Sequence, residues 1–535
     1  MKYKDLKKQH DELELEYHQE LQMLYEGGHE LQECAKNFLP KLVNESDTRY
    51  KARLKIPCYI NYFNQIVGQY INGLFSDDLN IVPASDAENP SSPGELPEMD
   101  FWMDFDKDAD LKENPFKEVI KSLITDALIH KKAFVSVDYP NFGFADSLKQ
   151  EKSEGFDRAY LVQINTVEII DWKYAKNIVK SYEFDSEGKK KVKLSAKKLT
   201  YMKLYRCYED EVKIEEFKIW KQELINKNYV VSWELYQVKW QDEKTPPKDD
   251  DNFEPVESGI TPQFTDLPFI ELSLPDDLWI GGKIGDLVKL IWQRTSSLLA
   301  AEDTSLVQML IVYLGAETPE VDGEVIEAQS DPNRGISIRQ RWEQKGSAVL
   351  GKDDKAEYLV PDTTAFQFID EQINSYVDEM FRICYLMAVS PIQTAKKDAG
   401  SGAAKKEDRF AFNQALLNLG DLVKSFCFKI YNLISLSRKE NVVWVARGLD
   451  DFDIIDPAEL LTEMQAADGL PLKSKTYKSE YKLYLMGRRL KNLPPETMEQ
   501  IRKEEFETGI DKIEKPIVNP GAIKQKTEIK GDTNG

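Results

Sequence analysis

Two long helical patterns joined by a glycine- and lysine-rich loop constrain this sequence more than any other stretch. Phe366, Ile369, Ile373, Tyr376, Met380 and Cys384 recur three or four residues apart. Phe412, Leu416, Leu419, Val423, Phe426, Ile430 and Leu433 repeat the spacing. That period places each set on one face of a helix. Pro391 is expected to stop the first helix, because its ring clashes with the preceding turn. Gly400, Ser401 and Gly402 then give the connection freedom. A mobile basic loop at the hinge of two long helices must present itself to something.

The remaining sequence narrows what that could be. At 535 residues the chain exceeds one hydrophobic core, so two to four domains are expected. A hydrophobic content of 41% is ample for folding, which argues against disorder of the whole. Acidic residues outnumber basic ones 93 to 71, for a formal charge of −22. A protein that grips nucleic acid over its whole surface is usually basic. The acidity reads either as a solvated surface or as one that stays close to DNA without sticking to it. Cys34, Cys58, Cys207, Cys384 and Cys427 show no C-x-x-C spacing, and His10, His18, His29 and His130 do not pair with them. Neither a zinc site nor a disulfide framework is expected, and a reducing compartment fits. The first residues read as charged helix, unlike a secretory signal. No apolar run approaches the roughly eighteen residues a membrane span needs, so a soluble protein is expected.

In chain order, residues 2–26 read as one charged amphipathic helix ending at Gly27-Gly28, with a short helix following to about Leu42. After Pro57 comes a mostly buried helix to about residue 75, with Gly68 and Gly73 explained by close packing or a helix end. Residues 84–98 read as a loop. Pro115 opens a helix with Phe116, Val119, Ile120, Leu123, Ile124, Ala127 and Leu128 on one face. That helix runs into a strand from Ala133 that stops at Pro140. Between Lys180 and Val238 β-branched and aromatic residues alternate with charges, as in a half-exposed antiparallel sheet. An acidic, Pro-rich loop fills 241–258, and a strand starts at Leu267. Gly281-Gly282 precede a helix over about 284–310, some 40 Å long at about 1.5 Å per residue. Short strands and turns occupy 311–362, with strands at Ile336–Arg339, Ser347–Gly351 and Ala356–Val360. After the opening pair of helices comes a strand from Val442, then helices near 457–467, 474–487 and 495–507. Residues 512–535 offer little to bury and read as disordered. The chain as a whole reads as α+β and predominantly helical.

Chemical motifs fail on spacing. Asp104, Asp106, Asp108 and Asp110 alternate like the start of a calcium loop. The sixth position, however, is Ala109 and the twelfth Pro115, so the sharp turn and bidentate ligand are missing, leaving a solvated acidic turn. Gly400-Ser-Gly-Ala-Ala-Lys-Lys lacks the four residues a phosphate loop places between its glycines, and a helix precedes it instead of a strand. His10 and His18 read as lying on one exposed helix, without a metal-ligand companion. There is no catalytic constellation, metal site or cofactor motif, and no enzyme is expected. What is left is a set of basic residues, Lys396, Lys397, Lys405, Lys406 and Arg409, interspersed with Asp398, Glu407 and Asp408. They form either a solvated loop or a flexible tip that touches phosphates without reading bases.

The order of elements resembles that of the portal protein of tailed bacteriophages over most of residues 30–510. Four stretches carry the likeness in texture: Asp47-Thr-Arg-Tyr-Lys-Ala-Arg through Leu74-Phe, Pro115-Phe-Lys-Glu through Val135-Ser-Val-Asp-Tyr-Pro, Arg158-Ala-Tyr-Leu through Ile169-Ile-Asp-Trp, and Leu267-Pro-Phe-Ile. The resemblance implies a ring-forming subunit, usually one of twelve, around a channel for double-stranded DNA. It implies an N-terminal region and wing over 1–270, a first stem helix within 271–310, a clip over 311–362 and a second stem helix over 363–389. A tunnel loop would span 390–408, with Lys396, Lys397, Gly400, Gly402, Lys405, Lys406 and Arg409 facing the channel. The long wing helix and a strand would follow over 409–456, the crown over 457–511 and a tail over 512–535. Implied partners are a terminase motor, the major capsid protein and head–tail adaptor or tail proteins, with no membrane. The implied location is the virion, after assembly in the host cytoplasm. Competing readings are a packaging enzyme (ATPase or nuclease), for which no phosphate loop or carboxylate cluster exists, and another minor virion assembly protein.

Overall fold

The computed structural model describes residues 1–450 apart from 12, 44, 56, 84–98, 141–157, 176–178, 185–189, 196–197, 210–212, 226–227, 241–244, 262, 307–308, 314–319, 322–323, 326–354, 360–362, 396–401, 441 and 443, together with residue 452. The chain divides into two compact units, Met1–Asp450 and Asp451–Gly535, and every element named below lies in the first. The expected loop at 84–98, the strands at 336–339 and 347–351, the helices beyond 457 and the tail lie outside the described residues.

The fold is mixed α+β. Its elements in chain order are α1 (Tyr3–Lys7), α2 (Leu15–Glu26), α3 (Gly28–Glu33), α4 (Ala35–Phe38), α5 (Asp47–Lys55), α6 (Tyr62–Leu74), β1 (Asn80–Pro83), α7 (Met99–Lys107), α8 (Phe116–His130), β2 (Lys132–Asp138), β3 (Tyr160–Ile164), β4 (Ile169–Tyr174), β5 (Val179–Phe184), β6 (Lys190–Ser195), β7 (Leu199–Glu209), β8 (Lys213–Ile225), β9 (Asn228–Lys239), β10 (Glu257–Thr261), β11 (Phe269–Ser273), α9 (Ile280–Leu306), β12 (Met309–Tyr313), β13 (Glu320–Val321), β14 (Glu324–Val325), β15 (Lys355–Leu359), α10 (Thr363–Ile383), α11 (Pro391–Ala395), α12 (Gly402–Ser437) and β16 (Trp444–Arg447). Every described strand pair is antiparallel.

The alternating segment forms a five-stranded sheet in the order β10-β9-β8-β7-β4. Because side chains alternate along a strand, one face collects Phe217, Ile219, Tyr236 and Val238. That face, with Ile170, is closed by Tyr3 and Leu6 of α1. Two charged residues are buried beneath α1. The Lys203 ammonium donates to the carbonyls of Asp5 (3.1 Å), Leu6 (3.0 Å) and Lys8 (2.5 Å), the free acceptors at a helix C-terminus. The Glu215 carboxylate accepts from the hydroxyls of Tyr3 (2.6 Å) and Tyr205 (3.1 Å). This seat breaks the single helix expected over 2–26. The His10 N–H donates to the Ile170 carbonyl at 2.8 Å, and the imidazole stacks on Trp172 at 4.1 Å, so the chain turns between α1 and α2. His10 and His18 therefore do not share an exposed helix. His18, on α2, is half-buried with its ring 5.5 Å from that of His130.

A three-stranded sheet, β11-β2-β3, follows α8, whose expected apolar face is fully buried. The acidic stretch at 104–110 is not simply a solvated turn. Asp104 and Asp106 lie on α7, and Asp106 accepts a hydrogen bond from the Tyr431 hydroxyl. Asp108 and Asp110 accept from the backbone N–H groups of Glu113 and Lys112, both at 3.0 Å, and so close the turn that leads to α8. Among the described residues no three His, Cys, Asp or Glu side chains converge on a metal-sized site.

The glycine pair expected ahead of the long helix lies inside the first turn of α9. A Cβ on Gly281 would lie 2.1 Å from the Ile129 carbonyl oxygen, and one on Gly282 would lie 2.3 Å from the Trp279 ring. The Trp279 indole N–H donates to that same Ile129 carbonyl at 2.9 Å. Glycine is thus required by close approach of α9 to the end of α8. Gly73 has the same cause, since a Cβ there would meet Leu416 at 3.0 Å and Phe412 at 3.2 Å on α12, whereas the space around Gly68 is open.

Gly281→Ala should lower stability by about 2 kcal/mol or more, because backbone cannot yield as a side-chain tip can. Gly68→Ala, in open space within α6, should raise it by roughly 0.5–1 kcal/mol. The shift in urea midpoint of the two variants checks both signs.

Candidate functional site

The stretch singled out in the sequence is seated by α6, α10 and α12. α10 buries Ile373, Val377, Met380 and Phe381, with Cys384 just beyond its end. The helix stops at Ile383, short of the expected 389. The Leu386 N–H reaches back to the Phe381 carbonyl at 2.8 Å and the Tyr385 N–H to the Arg382 carbonyl at 3.0 Å. This is the Schellman closure, with Tyr385 in the left-handed position (φ 57°) that glycine commonly fills. Two contacts stabilise it. The Tyr70 hydroxyl on α6 donates to the Cys384 carbonyl at 3.0 Å, and the Lys283 ammonium sits 4.9 Å from the Tyr385 ring centre. Burial pushes the Cys384 thiol up to about 12, so it is a packed thiol and not a nucleophile.

A single turn, Met387–Val389, leads to Ser390, which is wholly buried. The Ser390 hydroxyl donates to one oxygen of Asp378 at 2.5 Å, and the Gln393 side-chain amide donates to the other at 2.7 Å. One carboxylate on α10 therefore brackets α11. Pro391 opens α11 and does not terminate α10, because at the first helical position its missing N–H costs nothing.

Gly402, Lys405 and Lys406 lie in the opening turns of α12, so the loop expected over 390–408 narrows to the connection between Ala395 and Gly402. Lys396, Lys397 and Gly400 fall outside the described residues. Arg409 is exposed on α12, beside Phe410, which is 72% exposed. Among the named basic residues only Arg409 has a described side chain, so no described contact brings them together.

Beyond Phe410, α12 becomes the central helix of the core. Phe412 packs edge-on to Tyr70 with centroids 5.1 Å apart. Leu416, Leu419, Val423, Phe426, Ile430 and Ile434 are buried. Tyr431 stacks on Trp102 at 4.8 Å and meets Trp444 of β16 at 4.9 Å. A second Schellman closure ends the helix, with the Glu440 N–H donating to the Ser435 carbonyl at 2.8 Å and Lys439 at φ 61°.

No protein-family model matches the sequence, and no curated protein matches it. Solved structures do, at low identity. A chain in the virion of a native gene transfer agent particle is 11% identical, with 85% of this chain and 96% of that one covered at a TM-score of 0.40. A chain in the neck of a native gene transfer agent particle, computed with C12 symmetry, is 11% identical over 81% and 89% at 0.36. An HK97 family phage portal protein from Corynebacterium diphtheriae is 11% identical over 80% and 100% at 0.29.

Sequence reasoning missed Asp378, which no local pattern marks. It also misread Pro391, for which a signal was present. Ser390-Pro-Ile-Gln393 has the spacing of a helix start, a capping serine followed three residues later by glutamine.

Asp378→Ala should cost about 1–3 kcal/mol by leaving the buried Ser390 hydroxyl without its acceptor. Faster hydrogen exchange over residues 387–395, with α6 unchanged, is the expected result.

Proposed function

We propose that this chain is the subunit of a portal ring through which double-stranded DNA enters and leaves a capsid, with no enzymatic activity of its own. The observation that carries the reading is the connection between α9 and α10. These helices pack side by side, and the chain passes from one to the other through the antiparallel pair β12 and β15, with Met309 opposite Leu359 and Tyr313 opposite Lys355. In this reading the two helices are a stem closed by the strand pair, and the residues between those strands are assigned to docking. After the stem, the chain re-enters the core as the 36-residue α12, and the basic connection sits just ahead of it.

In this reading 271–310 and 363–389 form the stem, 311–362 the clip and 1–270 the wing against the major capsid protein. Within 390–408 the connection between Ala395 and Gly402 forms the channel tip, α12 and the strand that follows it the long wing helix and strand up to 456, and 457–511 the crown. The clip docks first the terminase motor and later head–tail adaptor or tail proteins. The assembled ring resides at one vertex of the virion, having formed in the host cytoplasm. A heterologous contact that closes after a fixed rotation gives a ring, and the resemblance implies twelve copies. Such a ring multiplies every side chain by its copy number. A net charge of −22 per subunit repels DNA from the walls. Lys396, Lys397, Lys405, Lys406 and Arg409 supply transient phosphate contacts without base readout, and Gly400 and Gly402 supply movement. No described helix is long and apolar enough to cross a membrane.

Negative-stain images of the purified chain should show rings with a central hole, and particles no larger than dimers at high concentration would overturn the proposal. Replacing Lys396, Lys397, Lys405 and Lys406 with Ala should leave rings intact while reducing packaged DNA. Loss of the rings themselves would refute the assignment of these lysines to the channel.

A further inference from the structure

The contact between α2 and α8 contains a histidine pair that the portal reading does not use. His130 ends α8 and is 2% exposed. Its Nε2 lies 2.7 Å from the Gln22 side-chain oxygen on α2. A neutral imidazole donating there keeps its lone pair on Nδ1, and that atom has no partner. His18 of α2 faces it, with ring planes 67° apart, and its Nδ1 is also buried without a partner. A cavity of about 360 Å³ borders the pair, walled by Leu15, Ile169, Trp172 and Trp279. The nearby charges offer an imidazolium little. Lys131 is engaged by Asp276 at 2.5 Å and Lys132 by Glu271 at 3.3 Å, and both lysines add positive charge. Glu14, one turn before His18, is the acidic side chain bordering the same cavity.

We propose that His18 and His130 form a proton-operated latch between α2 and α8. While both are neutral they pack against each other and hold α2 in place. When they are protonated, two like charges meet in an aromatic pocket and α2 is released.

The direction follows from burial. Burial lowers His18, with Glu14 opposing the shift and Lys132 adding to it, and burial takes His130 from 6.5 down to about 3, with the charge of His18 adding to that shift. The docked state therefore excludes protons that the released state binds. Docking is fully present above pH 6.5 and weakens as pH falls toward 3. At pH 5 the released form gains about 30-fold from His130 alone.

Asp126, one turn earlier on α8, works the other way. Burial raises it to about 6, with Glu26 of α2 adding to the shift, while the Gln163 amide at 2.6 Å opposes it. It takes up a proton first in the docked state and tightens α2 by about tenfold at pH 5. Tyr25 at the same end of α2 is raised by burial and by Asp126, and stays neutral throughout this range.

The test is hydrogen exchange of residues 15–26 in the full chain at pH 7.5 and 5.0, corrected for intrinsic rates. In Asp126→Asn, which removes the opposing group, exchange should rise about 30-fold or more on acidification. Adding His130→Gln should cut that rise at least tenfold, and equal rises in the two variants would overturn the latch. Should the double variant already be loose at pH 7.5, histidine C2–H exchange on the unmodified chain decides. Half-titration of both His18 and His130 below 6.5, with the exposed His29 as internal marker, supports the latch, and either one at or above 6.5 refutes it.

Discussion

The start of α9, and with it the α9–α10 pair, is positioned by the meeting of α8 and α9 at the Ile129 carbonyl. That oxygen accepts the Trp279 indole N–H and lies where a side chain on Gly281 would otherwise begin. The contact fixes where the long helix starts relative to the small sheet that follows α8. α10 is then placed by packing along α9, and α12 by its own packing on α6 and β16. A hydrogen bond to a buried carbonyl is worth only about 1 kcal/mol net. Its importance here is geometric, because a backbone approach of this kind admits one arrangement and excludes its neighbours.

Much of the architecture could be read directly from the sequence. The face of α8, the buried run after Pro57, the antiparallel meander and the periodicity of α12 all emerged from apolar spacing. These segments bury one continuous face, so local pattern and tertiary structure agree. The failures share a cause. Gly281-Gly282 read as a boundary because glycine weakens helices, yet a contact over 150 residues distant requires it there. Tyr385 and Lys439 end helices in a conformation that glycine normally marks, so no signal preceded either stop. His10 breaks a good amphipathic pattern because Ile170 and Trp172 offer more than another helical turn would. Around the proposed channel residues the reading overextended the loop, since Ser390-Pro391 was read for the helix it follows and not for the one it begins.

The proposed ring gives the acidic balance and the basic connection a common use. In a monomer, scattered carboxylates are solvated and inert. In a closed assembly the same groups create a field that varies along an axis, and a short basic connection becomes a repeated collar. Rigidity at the base of that collar follows from Asp378, which restrains α11 with two hydrogen bonds.

The seat of α1 also has a consequence for how the polypeptide matures. Tyr3 is held by Glu215, and the first residues run alongside Asp249, Asp251 and Phe253. A helix of five residues has no stability of its own. During synthesis it must therefore wait for some 250 further residues, roughly 10–50 s at ribosomal rates. Through that interval Tyr3 and Leu6 have no cover, and the underside of the sheet, once formed, has no lid. The α1 segment is thus placed only after the strands it covers have been made.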